Sequence, residues 1–153
     1  YLARRAPDFF DWRSGIFEFV PDSETVGKLT QELYGEYQEY LNWSHAQRLD
    51  RLREIHAILE EDRQTPDQQA SLWLEKGNIL TADSNYEAAI AAYDQALVIK
   101  PDFHIAWNNR GNRLQALGQN EEAVANYDRA LAIEPNYAFA WAGRGDALSA
   151  LGR

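Results

Sequence analysis

The hydrophobic residues of this chain recur every three or four positions over long stretches, which is the period of an amphipathic α-helix. After Ser44, a residue type suited to helix capping, such a stripe predicts a helix over residues 45–62. A stripe earlier in the chain follows the capping pair Asp22-Ser23 and predicts a helix over residues 24–41. The apolar positions of the helix after Ser44 are Ala46, Leu49, Leu52, Ile55, Ile58 and Leu59. The pattern therefore predicts two helices joined by a short turn between residues 24 and 62.

A longer pattern follows, with a period of 34 residues. Trp73, Trp107 and Trp141 lie at equal intervals, and the same offset relates glycine, leucine, alanine, tyrosine and proline positions. These positions are Gly77, Gly111 and Gly145; Leu80, Leu114 and Leu148; Ala89 and Ala123; Tyr93 and Tyr127; Ala96 and Ala130; Pro101 and Pro135. A fixed period of this length is the mark of a repeat architecture.

Each repeated residue type has a physical reason to be there. A glycine inside a helix costs about 1 kcal/mol relative to alanine, and it is tolerated where a neighbouring helix comes too close for a β-carbon. Ala89 and Ala123 are the matching small contacts on the second helix of each unit. Pro101 and Pro135 cannot continue that helix and so end it. Each unit is then a helix pair whose apolar face stays open until the next unit stacks on it.

The pattern W-x-x-x-G-x-x-L, then A-x-x-x-Y-x-x-A, then P, resembles the tetratricopeptide repeat (TPR) of bacterial-type arrays, over residues 70–153. This resemblance implies an all-α fold: a right-handed α-solenoid of antiparallel helix pairs, preceded by two non-repeat helices and an irregular aromatic N-terminal segment. The first unit departs from the pattern between its helices, where TADSNYEAA replaces the usual Leu-Gly. There we expect a polar turn with Ser84 or Asn85 as the N-cap of the second helix.

The chain divides into five segments on this interpretation. Thr65-Pro66-Asp67-Gln68 has the form of a capping box with proline in the first helical turn, and it opens the first repeat. The expected segments are an aromatic-rich segment over 1–21, a helical hairpin packing on the array over 22–64, repeats over 65–103 and 104–137, and a partial third repeat over 138–153. Since the third repeat has only its first helix, the apolar face of that helix predicts either truncation of a longer array, which we favour, or self-association through this exposed C-terminal helix.

The aromatic-rich segment carries the run FFDWRSGIFEFV. So many aromatic residues are expected to be buried, and the simpler prediction is that they fold back on the helices. The alternative is a contact surface for an upstream domain or a partner chain.

Composition and charge limit the classes of molecule that we expect the chain to bind. The formal net charge is −9, so the chain repels phosphate backbones and anionic lipid surfaces, and we expect neither a nucleic acid nor a membrane as partner. The chain has no cysteine, which excludes disulfides and fits a reducing, cytoplasmic compartment. It also has no methionine and begins at Tyr1, which predicts a piece of a longer protein.

Catalytic patterns are missing from the sequence. His45 and His56 lie three helical turns apart, roughly 16 Å at 1.5 Å per residue, which is too far to share a metal ion. No phosphate-binding glycine loop, nucleophile elbow or zinc-protease motif occurs. We therefore predict no enzyme activity, no metal and no cofactor.

The remaining candidate site is polar. In TPR proteins the first helices of the repeats line a concave groove, where asparagine side chains hold an extended peptide by its backbone amides. The matching positions are Asn78, Asn109 and Asn112, with Asp146 in place of asparagine in the third repeat. Asn108, Gln115 and Ser149 border them, and Phe139 and Leu74 add apolar contact. The predicted site, called here the groove residues, is Asn78, Asn108, Asn109, Asn112, Gln115, Phe139 and Asp146. Some TPR domains add cations that clamp a C-terminal carboxylate, but Leu74, Phe139 and Gly143 occupy those positions here.

The sequence thus predicts a non-catalytic protein-interaction module that binds a peptide or partner helix in the groove. The alternative is a sensor or scaffold fragment of a larger signalling protein, for example one with a nucleotide-binding or protease domain, whose catalytic domain lies outside this chain.

Overall fold

The computed structural model describes residues 39–153, in which all regular structure is helical. The predicted aromatic segment 1–21 and nearly all of the predicted helix 24–41 lie outside the described residues. Residues 39–42 are helical, and six complete helices follow: α1 (His45–Glu61), α2 (Pro66–Ala82), α3 (Tyr86–Ile99), α4 (His104–Ala116), α5 (Asn120–Ile133) and α6 (Ala138–Ala150).

Two of the predicted caps, Ser44 and Thr65, each open a helix by a capping box. The Ser44 side chain accepts from the backbone N–H of Gln47, and the Gln47 side chain accepts from the backbone N–H of Ser44. Thr65 and Gln68 make the same reciprocal pair at the start of α2, where Pro66 is the first helical residue. These bonds satisfy donors that a helix start otherwise leaves unpaired, which confirms both predicted starts.

The first helix of each repeat ends in the same way. Ser84, Gly118 and Gly152 follow these helices at 34-residue intervals, and all three adopt the left-handed conformation, with φ of 58°, 78° and 75°. Asn85 then caps α3 by accepting from the N–H of Ala88 at 3.4 Å. Of the two predicted candidates Asn85 is therefore the cap, and Ser84 takes a backbone conformation that the other repeats give to glycine.

The helices stack in chain order as a solenoid. Each helix from α2 to α6 packs on the next, and α4 also packs on α6. Two groups of buried residues fill the space between them, one around Tyr93 and one around Tyr127, and Trp107 packs against both. The all-α, TPR-like solenoid predicted from the repeat is confirmed.

The two tyrosines explain the repeated glycines. A β-carbon built on Gly77 would lie 2.3 Å from Cε1 of Tyr93, and one on Gly111 would lie 2.9 Å from the same atom of Tyr127. The predicted close approach is therefore confirmed at both positions. Gly143 contacts Tyr127 from the other side, where a β-carbon would lie 2.6 Å from Cζ. By contrast, Gly145 has nothing within 4 Å of that position.

The repeated tryptophans fall into two environments. The indole N–H of Trp107 donates to the carbonyl of Pro101 at 2.9 Å, and that of Trp141 donates to the carbonyl of Pro135 at 2.8 Å. The repeat proline therefore both ends one helix and holds the next tryptophan. Trp73 lacks such a proline turn, because the residue six positions before it, Asp67, already lies in the first turn of α2.

Two arginines of α1 attach this helix to the array. Arg51 makes two hydrogen bonds to the Glu75 carboxylate, at 2.7 and 2.9 Å, and the Nε of Arg48 donates to Asp83 at 2.7 Å. Of the predicted apolar stripe of α1, Ile55 is fully buried. Leu49 is still 36% exposed, so the apolar stripe of α1 is only partly covered and the ion pairs of Arg48 and Arg51 add to its contacts. The boundaries of the five segments given in the sequence analysis stay predictions.

Candidate functional site

The groove residues all lie on α2, α4 and α6, the first helices of the three repeats. α4 and α6 are in direct contact, and a side-chain hydrogen bond from Asn109 to Asn78 joins α4 to α2. These three helices therefore form one layer, with α3 and α5 packed against them.

Asn78 is the centre of a buried network. Its Oδ1 accepts from the hydroxyl of Tyr93 at 2.7 Å and from Nδ2 of Asn109 at 3.1 Å. The Thr81 hydroxyl lies 3.3 Å from the same tyrosine oxygen and donates to the Gly77 carbonyl. With 4% of its surface exposed, Asn78 is largely engaged in holding two repeats together. Its Nδ2 makes no hydrogen bond among residues 39–153.

The second repeat copies this arrangement at the 34-residue offset. The Tyr127 hydroxyl lies 2.7 Å from Oδ1 of Asn112 and 2.8 Å from Oε1 of Gln115. Burial raises the pKa of Tyr127, so the hydroxyl keeps its proton and donates it to one of these two oxygens. Asn112 is only partly buried, and within the described residues its Nδ2 has no hydrogen-bond partner.

Asn108 lies beneath the surface. It is 1% exposed, its Nδ2 donates to Oδ1 of Asn109 at 3.4 Å, and its Oδ1 is buried without a partner in the described part of the chain. An unpaired buried oxygen costs about 1–3 kcal/mol. The sequence predicted Asn108 as a border residue of the groove, but the structure gives it no exposed polar atom to offer.

Phe139 and Asp146 are the groove residues of α6. The Phe139 ring packs edge-on against Tyr137, with ring centroids 5.5 Å apart, and Tyr137 in turn packs edge-on against His104 at 4.8 Å. Asp146 is exposed and makes no ion pair or hydrogen bond among residues 39–153. It occupies the position that is Asn78 in the first repeat and Asn112 in the second.

A repeated ion pair was missed by the sequence reasoning. Arg110 donates to Asp94 at 2.7 Å, and Arg144 donates to Asp128 at 2.6 Å, again at the 34-residue offset. Each pair joins the second helix of one repeat to the first helix of the next. Arg110 also donates to the buried Asn126 at 3.0 Å. The equal offset of the Asp and Arg positions was the available signal, but the predicted repeat rested on tryptophan, glycine, leucine, alanine, tyrosine and proline positions.

The two histidines of α1 each lie beside a carboxylate. His45 lies 3.3 Å from Asp83, and His56 lies 3.1 Å from Glu60. Between residues 39 and 153 no group of three or more His, Asp or Glu side chains could hold a metal ion. In the same range no helix has the length and apolar character needed to cross a membrane.

The stacked helix pairs, with polar first helices in one layer, define a helical repeat protein of the kind that generally mediates protein–protein interactions. A family model described as TPR repeat matches residues 77–118 and again residues 111–152. The chain therefore belongs to the tetratricopeptide repeat family, whose repeats are generally non-catalytic. A search of the curated proteins found no match.

Proposed function

We propose that the layer formed by α2, α4 and α6 binds an extended peptide segment of a partner protein. In this proposal the side-chain amides of Asn78 and Asn112 donate to backbone carbonyls of the peptide. The observation that carries it is the state of these two amides: each oxygen lies 2.7 Å from a tyrosine hydroxyl, and each Nδ2 has no partner within residues 39–153.

This arrangement supports binding because the donors are fixed in advance. A free asparagine side chain loses rotational freedom when a ligand binds, whereas one already held by a tyrosine loses little. The position repeats at 34 residues, so both donors lie in the same layer, Asn78 being the more buried of the two. An extended peptide, whose carbonyls recur along its length, matches such a row.

The charge of the groove residues favours a neutral or basic segment. Asp146 is the charged member of the set, and Leu74, Phe139 and Gly143 take the places where a carboxylate clamp would need cations. An acidic segment would meet the Asp146 carboxylate, which makes no ion pair within residues 39–153, and like charges repel.

The test uses Asn112→Asp in the full chain. The new carboxylate keeps an oxygen for Tyr127 but replaces the donating N–H₂ with a second acceptor, so it removes binding while keeping the internal bond. The probe is a random 12-residue peptide library displayed on phage, with selected peptides titrated by calorimetry. We expect the Asn112→Asp change to weaken the selected peptides by about tenfold or more, as for a lost peptide hydrogen bond to a buried site.

Asn136→Asp is the matched control, since Asn136 is exposed in the turn before α6 and adds the same charge away from the layer. Binding that is equal in Asn112→Asp and the parent, or lost equally in Asn136→Asp, would contradict the proposed role of the groove.

A further inference from the structure

The hydroxyl of Tyr127 lies between two side-chain amides of α4 that share one face of the helix. Its oxygen is 2.7 Å from Oδ1 of Asn112 and 2.8 Å from Oε1 of Gln115. A phenol hydroxyl carries a single proton, so it donates to one of these groups, and its lone pairs can accept from the other. Two amide oxygens do not satisfy it, because the oxygen that receives no proton would face another acceptor at hydrogen-bond distance.

One of the two amides therefore turns its N–H₂ group toward Tyr127. The oxygen and nitrogen of a side-chain amide have nearly the same shape, so a half-turn of the amide exchanges their places without moving the rest of the side chain. One amide then donates to the tyrosine hydroxyl and the other accepts from it. The atoms that remain are an oxygen on the donating amide and an N–H₂ group on the accepting amide. The pair thus presents one acceptor and one donor.

The first repeat indicates which of the two amides accepts. There Oδ1 of Asn78 accepts from the Tyr93 hydroxyl at 2.7 Å and from Nδ2 of Asn109 at 3.1 Å. Two donors on the same atom fix it as the oxygen, since an N–H₂ group cannot accept. Asn112 is the equivalent of Asn78 at the 34-residue offset. The same orientation in the second repeat makes Asn112 the acceptor of the tyrosine proton and leaves the Gln115 oxygen as the acceptor that remains.

The remaining atoms of the two amides are accessible. Neither the second amide atom of Gln115 nor that of Asn112 has a hydrogen-bond partner among residues 39–153, and neither atom is buried. The first repeat differs, because Thr81 holds the position of Gln115 there. Thr81 is 2% exposed, and its hydroxyl donates to the carbonyl of Gly77. Of these two repeats, the second therefore adds an acceptor beside its donor.

We propose that Gln115 is a specificity-determining residue of the groove, and that its side-chain oxygen accepts a backbone N–H of the bound peptide. This inference rests on the proposed function, in which the N–H₂ group of Asn112 donates to a peptide carbonyl. In an extended strand the N–H and C=O of one residue point to the same edge. The two amides therefore pair with a single residue of the ligand, as a neighbouring strand of a sheet would.

This pairing excludes proline from one position of the ligand. Proline has no backbone N–H, so at that position it would leave the Gln115 oxygen without a donor. The ligand residue that contacts Asn78 needs only a carbonyl, and proline has one. The positions at which proline is accepted therefore report how the peptide is aligned along the groove.

The test is a scan of backbone esters in a peptide selected from the 12-residue library. Each ester replaces one backbone N–H with oxygen and keeps the side chain, and calorimetry measures its binding to the full chain. Gln115→Met, which has a similar shape but no amide, should bind the unmodified peptide about tenfold more weakly. One ester should weaken binding about tenfold in the parent chain and cause no further loss in Gln115→Met, because both changes remove the same hydrogen bond.

Gln119→Met is the matched control. Gln119 is exposed in the turn after α4, and its side chain makes no capping bond to α5. This variant should keep both the affinity of the parent chain and the effect of the ester.

A second measurement needs no peptide. NMR follows the exchange of the side-chain N–H₂ protons with water in the full chain. The protons of Gln115 should exchange more slowly than those of Asn112, because one of them is bonded to the Tyr127 hydroxyl. Tyr127→Phe should remove this difference.

Three results would overturn this inference: unchanged affinity in Gln115→Met, an ester effect of the same size at every position in both chains, or slower exchange for the Asn112 protons than for those of Gln115. Unchanged affinity would mean that the peptide does not use this oxygen, whether water or residues 1–38 occupy it. Binding that is lost in Asn112→Asp but kept in Gln115→Met would remove this inference and leave the groove proposal standing. Absence of peptide binding to the parent chain would remove both.

Discussion

Asn109 and Asn78, which lie 31 residues apart in the sequence, form a side-chain hydrogen bond of 3.1 Å between two successive repeats. The oxygen that accepts this bond also accepts the Tyr93 hydroxyl at 2.7 Å. A residue that the repeat pattern presents as a ligand contact is thus also part of the structure that holds the layer together.

Asn78→Ala is therefore expected to lower the free energy of unfolding by about 1–3 kcal/mol, because it removes the acceptor of the buried Tyr93 hydroxyl and of the part-buried Asn109 amide. Urea denaturation measures this change. Tyr93→Phe and the double variant complete a mutant cycle, in which we expect the two changes to be less than additive. Strict additivity would mean that the 2.7 Å bond contributes nothing to stability.

A matched pair of glycine substitutions tests the close packing of the tyrosines. Gly77→Ala places a methyl group 2.3 Å from the Tyr93 ring and should destabilise the chain by about 1–3 kcal/mol. Gly145→Ala has open space around it and should stabilise the chain by up to about 1 kcal/mol, because alanine is the better helix former. Thermal denaturation measures both, and effects of the same sign would contradict the packing described for Tyr93.

Ser84 offers a stabilising substitution. It has φ of 58°, where the equivalent Gly118 and Gly152 have 78° and 75°. Ser84→Gly should raise the free energy of unfolding by roughly 0.5–1 kcal/mol, since the left-handed conformation strains a residue with a β-carbon. Gly118→Ser is the reciprocal control and should be destabilising. A loss of stability in Ser84→Gly would mean that the serine side chain contributes more than the backbone strain costs.

The two repeated arginines should differ in importance. The Arg110 side chain is 18% exposed and contacts both Asp94 and the buried Asn126, so Arg110→Gln is expected to cost about 1–2 kcal/mol. The Arg144–Asp128 pair is 34% and 53% exposed, so Arg144→Gln should cost about 0.5 kcal/mol or less. Chemical denaturation in low and high salt separates them, because the pair with the more exposed arginine is screened more strongly.

His104 should make stability depend on pH. Burial lowers the pKa of His104 below its ordinary value of about 6.5, and the Lys100 ammonium lowers it further, while the Glu134 carboxylate opposes both. The unfolded chain then binds the proton more readily, so stability is complete above pH 6.5 and is lost as the pH falls from there through the folded-state pKa. Denaturation between pH 7.5 and 5 should show this loss, and His104→Gln should reduce its slope. An unchanged slope in the variant would exclude His104 as its source.

Much of the fold follows from the sequence because the same residue types occur at the same positions in each repeat, so each repeat predicts the same helix pair. The period placed Gly77 and Tyr93 in one unit and Pro101 before Trp107, but it paired the glycine with Ala89 and gave the proline only the role of ending a helix. The contact of Gly77 with Tyr93 and the bond from Trp107 to Pro101 came from the structure. The capping residues Ser44 and Thr65 needed only local rules.

The hydrogen bonds of the candidate site could not be predicted from the sequence. The spacing places a side chain on a helix, but it does not show which atoms of that side chain are already bonded. Asn108 and Asn112 look alike in the sequence, yet the first is 1% exposed and the second is partly open. The difference depends on neighbouring helices. The positions of Arg110 and Asp94 recur at the 34-residue offset. Opposite charges are common on solvated helix surfaces, however, so the sequence alone does not predict that these two side chains form an ion pair.

The position of the Tyr127 ring between Gly111 of α4 and Gly143 of α6 has a consequence for how the array opens. One side chain from the second helix of a repeat is enclosed by the first helices of two repeats, so the cooperative unit crosses the boundary that the sequence period suggests. Native-state hydrogen exchange should therefore find that amides of α4, α5 and α6 become accessible in a single sub-global opening. The smallest independently melting piece of this region would then be three helices and not one helix pair.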